Sequence, residues 1–236
     1  LSGQRGRNQG PCLRHSHGPW LYPPPWRAPA PVTLVVRRDK RMSIKQSQTI
    51  KEALMIELAS AWENLKSLHK GESFYAFGIY CNDVASWFNV AACSEEALDS
   101  IAAKQAKSEQ SSSNELHSAS LRWSLADSPL MAECEGRLPT SQAIRDAQPD
   151  PYEEADGSEE AIKAFFESAF QALLELDKTG IFGTSTDRDK LLLSIWINDE
   201  SDEAKILSAR RLNSEEQVLR YSNELASGYA AFKQLM

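Results

Sequence analysis

Arg122, Trp123 and Asp127 fall within six residues of one another, and a second tryptophan, Trp196, lies in an apolar run that ends just before Asn198-Asp199. A carboxylate at the end of a strand can bind a cation, take a proton or pair with an arginine, and Arg210 or Arg211 is a candidate partner for it. Arg122, Trp123, Asp127, Trp196, Asp199 and Arg211 are therefore the candidate binding residues, and Arg122, Asp127 and Asp199 could line a pocket for a substrate or small ligand. The competing reading is that both aspartates make turns through local hydrogen bonds and both tryptophans fill core. Other chemistry has little support. From Met42 onward the only histidines are His69, at a helix end, and His117, in a polar loop, without the spacing of a metal site. No GxSxG, GxGxxG or GxxxxGK[ST] motif occurs. Gly180-Ile181-Phe182-Gly183 is too short to cradle phosphate and reads as a helix stop and tight turn. No catalytic residue is assigned, and neither a cofactor nor a metal is expected.

The elements that must position these residues are read from periodicity. Ile50, Leu54, Leu58, Ala61, Leu65 and Leu68 recur every three or four residues, which predicts a helix over about 47–69 ended by Gly71. The period then changes. Phe74 to Tyr80 is apolar, aromatic or Gly throughout, as in a strand covered on both faces. Cys81-Asn82-Asp83 turns the chain into a second, antiparallel strand from Val84 to Cys93, and Ser94 followed by Glu95 and Glu96 caps a helix to about Lys107. Ser108 to His117 reads as a loop, Leu121 to Ser124 as a short strand, and Met131 to Gly157 as a long acidic connection with a helical turn near Thr140 to Asp146. Asp156-Gly157-Ser158-Glu159 has capping-box spacing and opens a helix to about Lys178. Leu191 to Ile197 is a buried strand, and Ser214 with Gln217 caps a last helix to about Ser227. The order α, β, β, α, β, α, β, α predicts an α+β domain with helices packed on a small antiparallel or mixed sheet.

Charge is unevenly placed. The 236 residues hold 26 Lys and Arg against 33 Asp and Glu, a formal charge of −7. Residues 1–41 carry eight of the cations, one acid and seven of the eleven prolines, so neither a helix nor an interior strand is expected there. That arm could bind nucleic acid or serve as a transit segment. The favoured expectation is translated upstream sequence with a natural start at Met42. Residues 42–236 then form one domain with a net charge of −14, which argues against nucleic acid and fits a partner with a basic face or simple solubility. No run of about 18 apolar residues suggests a membrane span. Cys81, Cys93 and Cys134 are widely spaced and read as reduced thiols packed in a cytoplasmic protein.

Several separated blocks carry a family resemblance: Phe74 to Tyr80 with Asn82-Asp83, Arg122-Trp123-Ser124 with Ala126-Asp127, Leu176-Asp177 with Gly180 to Gly183, the Leu191 to Asp199 run, and Arg210 to Asn213. Together they resemble the bacterial domain-of-unknown-function family DUF4303 over roughly residues 42–236. Ser128 stands where an aromatic is expected. The resemblance implies no known activity, and an immunity-like role follows only by analogy with acidic proteins that mask toxins. The reading that results is a non-enzymatic protein-binding domain, immunity- or adaptor-like, with an acidic surface built from Glu153, Glu154, Asp156, Glu159, Glu160, Asp199, Glu200, Asp202 and Glu203. Its alternative is the pocket around Arg122, Asp127 and Asp199.

Overall fold

Phe74–Cys81 offers neither face to water, and it becomes β1, the middle strand of a three-stranded sheet. A computed structural model describes residues 44–109, 113–150, 152 and 158–236, with backbone alone for 44–46. The basic arm, the start at Met42, the Asp156-Gly157 half of the proposed capping box and the acids Glu153, Glu154 and Asp156 lie outside the described residues. β2 (Phe88–Ser94) runs antiparallel to β1, and β3 (Leu192–Ile197) runs parallel to it on the other edge. The sheet is mixed, and the chain is α+β as expected. In the register Gly78 lies between Ala91 and Ser194, and Tyr80 lies between Asn89 and Trp196.

The long amphipathic helices cover one face. α1 (Ile44–Leu68) presents Ile50, Leu54, Leu58, Ala61 and Leu65 to Phe77, Ile79, Leu193 and Ile195, whereas Leu68, at the end of the predicted stripe, is exposed. Trp62 widens the stripe: its ring meets Phe74, Phe77 and Phe182 edge-on, and its indole N–H donates to the Ile181 carbonyl at 3.0 Å. On the second face α2 (Glu95–Glu109) and a neighbouring helix, α3 (Asn114–Leu121), join Tyr75, Leu98, Leu125, Trp196 and Tyr221 in a smaller core.

Three expectations are corrected between α2 and β3. The segment Leu121 to Ser124 is no strand: the Arg122 N–H bonds back to Ser118, the Ser124 N–H to Leu121, and a 3-10 turn follows at Leu125–Asp127. Four residues of alternation are too few to tell a strand from a helix end. His117 sits on α3, which starts at Asn114 with Ser113 as its cap, and is fully buried rather than in a loop. The stretch expected as a long connection opens on an unexpected helix, α4 (Pro129–Cys134), capped by Ser128, while α5 (Pro139–Asp146) lies where the helical turn near Thr140 to Asp146 is expected. The α5 cap comes from far away in the chain. Glu57 of α1 accepts from the Thr140 and Ser141 N–H groups and the Ser141 hydroxyl.

Elsewhere the expected caps hold. α6 (Ser158–Lys178) ends at Gly180 with a φ of 75°, and Ser94 accepts from the Ala97 N–H. Two short helices, α7 (Ser185–Arg188) and α8 (Asp202–Arg210), flank β3, the second capped by Ser201 with Asp202 and Glu203 in its first turn. α9 (Glu215–Leu235) carries the full Ser214–Gln217 capping box but runs eight residues beyond the predicted end. The reason is Gly228, which lies against the Ala119 carbonyl of α3, where a Cβ would stand 2.8 Å from oxygen. This glycine allows a close helix contact rather than a stop.

Gly78 is the tightest point of the sheet. A Cβ there would meet the Ser194 carbonyl oxygen at 1.8 Å and the Trp196 ring at 3.0 Å. Gly78→Ala is therefore expected to cost more than about 3 kcal/mol, since the obstacle is backbone that cannot step aside, whereas Gly136→Ala meets no neighbour and pays only for its φ of 68°. Urea unfolding of both variants checks this, and equal small losses would contradict it.

Candidate functional site

The turn after α3 places Arg122 at the start of β1. Its Nη1 and Nη2 donate to the two carboxylate oxygens of Glu95, each at 2.7 Å, and its Nε donates to Glu224 at 3.0 Å. The guanidinium lies 4.3 Å over the Tyr75 ring, and the Tyr75 hydroxyl donates to the Arg122 carbonyl at 2.6 Å. Trp123 belongs to the same cluster, its indole N–H donating to the Glu224 oxygen that Arg122 uses. Burial opposes the charge on Arg122, but the Glu95 hydrogen bonds and the Glu224 carboxylate outweigh it and raise its pKa further. One forked cation thus joins α2, α9 and β1.

The remaining predicted residues lie elsewhere. Trp196 is core, its indole N–H bonded to the Tyr221 hydroxyl at 3.2 Å. Arg211 lies 3.7 Å over the Phe170 ring and pairs with Glu167 at 2.6 Å, while Arg210 faces Glu215. Neither arginine pairs with Asp199. Asp199 sits in the turn after β3 with a φ of 59°, accepting from Asn198, and Asp127 is exposed and accepts from the Ser124 hydroxyl. Asp199 stands at the Tyr80 end of β1, next to the Asn198 that accepts from the Tyr80 hydroxyl, whereas Asp127 lines a small pocket with Tyr75, Cys93 and Ser128. The two aspartates reach Tyr80 only through their charge. After burial, they are two of the charges that push its phenol above the ordinary value. Tyr75 and Tyr80 are five strand residues apart, about 16 Å at roughly 3.3 Å per residue, so Arg122 and Asp199 occupy opposite ends of β1, with Asp127 on the Tyr75 side.

Two aromatic residues join the Tyr80 end. Trp87, 39% exposed, stands 5.5 Å from the Tyr80 ring, and the Tyr80 hydroxyl donates to Asn198 at 2.7 Å. Tyr152, 70% exposed, is held by its hydroxyl against Asn82 at 2.9 Å and Ser86 at 3.1 Å. Asn82 shapes the turn by accepting from the Ser86 N–H, and beneath it the buried Arg145 donates to the Val84 and Pro149 carbonyls. The sequence marks these rings as aromatic but carries no signal that they face outward.

At the Arg122 end the surface opens into a cleft of about 860 Å³ between the α1–β1 turn and the Gly180–Gly183 turn. His69 stands in its wall, with Nδ1 2.9 Å from Glu72 and Nε2 2.8 Å from Glu133, and the Ser94 hydroxyl donates to Glu72. The Glu133 and Glu72 hydrogen bonds raise the His69 pKa above 6.5, against a smaller effect of burial. Burial alone would raise that of Glu72, but the bonds from Ser94 and His69 bring it below 4.5. Among the described residues, no group of three or more His, Cys, Asp or Glu is placed to hold a metal ion. Cys81, Cys93 and Cys134 are buried and unpaired, and burial pushes their thiols up, that of Cys134 to about 12.

A family model described as Domain of unknown function (DUF4303) matches residues 54–214, which contain all the sequence blocks quoted above. The chain belongs to the DUF4303 family. No curated protein and no solved structure matches it. Within the DUF4303 span, Asn213 closes the outer edge of β3: its Oδ1 accepts from the Leu193 N–H, and its Nδ2 donates to the Leu193 and Ala209 carbonyls. Arg188 adds bonds to Asp177 and to the Leu191 and Leu212 carbonyls. The last helix, which supplies Arg220, Tyr221 and Glu224, lies beyond the matched span. No helix among the described residues is long and apolar enough to cross a membrane.

Two stability tests follow. Arg122→Lys keeps the charge but cannot fork between Glu95 and Glu224, so it is expected to cost about 1–3 kcal/mol in urea unfolding. An unchanged midpoint would contradict that role. The clamp on His69 contributes fully below its unfolded value of 6.5 and is lost as the pH rises through its raised folded pKa, while the Glu72 part holds above 4.5 and is lost as the pH falls. His69→Gln should therefore lower stability by about 1–2 kcal/mol at pH 6 and by clearly less at pH 9. Equal losses at both would contradict the clamp.

Proposed function

We propose that this DUF4303 domain is a non-enzymatic binding module of the immunity or adaptor kind, which holds a basic segment of a partner protein at the Tyr80 end of β1. The observation that carries this reading is the grouping of Tyr80, Trp87 and Tyr152 with the exposed carboxylates of Asp83 and Asp199, neither of which pairs with a cation among the described residues. Tyrosine and tryptophan give large, stiff contact area at little entropic cost. A lysine or arginine of the partner can lie on a ring face while a neighbouring carboxylate accepts its hydrogen bonds. The net charge of −14 on residues 42–236 speeds encounter with such a partner. A cytoplasmic setting is supported by the three unpaired cysteines.

The test starts from the partner captured by the tagged intact chain, identified by mass and then purified for titration. Trp87→Ala, and Asp83→Asn combined with Asp199→Asn, should each weaken binding at least tenfold without altering near-UV circular dichroism; asparagine also suits the positive φ at residue 199. Wild-type affinity should fall with added salt, and Glu159→Lys with Glu160→Lys, on the first turn of α6, should leave it unchanged. Superimposable titrations for wild type and the patch variants would overturn the proposal.

A further inference from the structure

We infer that the cleft at the opposite end of β1 is a binding site for an organic phosphate carrying two or more negative charges, of the nucleoside diphosphate class. The inference does not rest on the proposed partner site, which lies about 16 Å away along the strand.

The argument is a charge balance inside one cavity. Five Lys or Arg side chains line the cleft, Lys66, Lys70, Arg122, Lys190 and Arg220, against Glu72, Glu95, Asp187 and Glu224. Most of these charges are already matched. Arg122 takes both Glu95 and Glu224, Lys66 pairs with Glu63 and lies over Trp62, and Glu72 is engaged by His69 and Ser94. Lys70, Lys190 and Arg220 are exposed, form no ion pair among the described residues, and face only one uncommitted acid, Asp187. One Arg122 facing two carboxylates leaves a surplus negative charge there, so five cations against four acids give the cleft lining a net excess of one positive charge on a domain whose net charge is strongly negative. Such a local reversal of sign concentrates anions that the rest of the surface repels.

Position and size narrow the class. Arg220 donates to the Lys190 carbonyl at 3.1 Å, which fixes two of the cations on one lip, while Lys70 follows α1 on the other. Lysine ammonium groups act as point charges toward phosphate oxygens. The volume of about 860 Å³ far exceeds a lone phosphate and lies within the range of sites for nucleotide-sized ligands. Trp62, Phe74 and Phe182 provide apolar wall for the remainder of such a molecule.

Isothermal titration of the intact chain with ADP, inorganic pyrophosphate and adenosine tests this. ADP should bind, pyrophosphate should bind more weakly, and adenosine should give no heat at the same concentration; ADP affinity should fall as salt rises. The triple variant Lys70→Ala, Lys190→Ala, Arg220→Ala should bind ADP at least tenfold more weakly, while Lys104→Ala, outside the cleft, should bind as wild type. Absence of ADP binding, wild-type affinity in the triple variant, or adenosine binding as tightly as ADP would overturn the inference. Pyrophosphate binding as tightly as ADP would overturn its organic part.

Discussion

Everything in this domain is arranged around a strand with no free edge and no free face. β1 is bonded to β2 on one side and β3 on the other, with α1 and α6 on one face and α2, α3 and α9 on the other. Closing both edges while Trp196 lies across the middle leaves room at residue 78 for a hydrogen atom only. With its sides occupied, β1 meets solvent at its ends alone. The Tyr75 end carries the Arg122 cluster and the cleft, and the Tyr80 end carries the rings and carboxylates of the proposed partner site. A rigid strand between them keeps the two chemistries, one rich in uncommitted cations and the other in carboxylates, from neutralising each other.

The ends are shaped by polar bonds between residues far apart in the chain. Glu57 caps α5, and Asn213 replaces the missing strand beside β3. Arg145, buried and without a carboxylate partner among the described residues, donates to the Val84 and Pro149 carbonyls under the hairpin, and desolvation lowers its pKa. A buried polar group left unbonded costs about 1–3 kcal/mol, so each of these bonds strongly selects one placement of its loop. The β1–β2 turn, which presents Trp87 and anchors Tyr152, is held from within in this way.

What could be read from the residues alone follows the range of the forces involved. α1, α6, β1 and β3 are legible because their periodicity spans many residues, and the Ser94 and Ser214 caps because donor and acceptor are near neighbours in sequence. α5 is legible as a helical turn near Thr140 to Asp146, though its cap from Glu57 leaves no local signal, and α9 runs past Ser227 because Gly228 makes a close contact with α3. Leu121 to Ser124 offers too short an alternation to separate strand from helix end. The candidate site divides in the same way. Arg122 with Trp123, and Asp199, are recognisable by residue type. Their separation along β1 is a product of topology, as is the outward exposure of Trp87 and Tyr152.

The central claim is that the two ends of β1 are separate recognition surfaces on one rigid element. Amide hydrogen exchange on the intact chain, alone and saturated with its captured partner, tests it most directly. The account predicts slowed exchange confined to residues 82–88 and 198–201, with residues 70–74 and 181–191 around the cleft unchanged and the interior of β1 slowest in both states. Slowed exchange around the cleft, with none at the Tyr80 end, would contradict it.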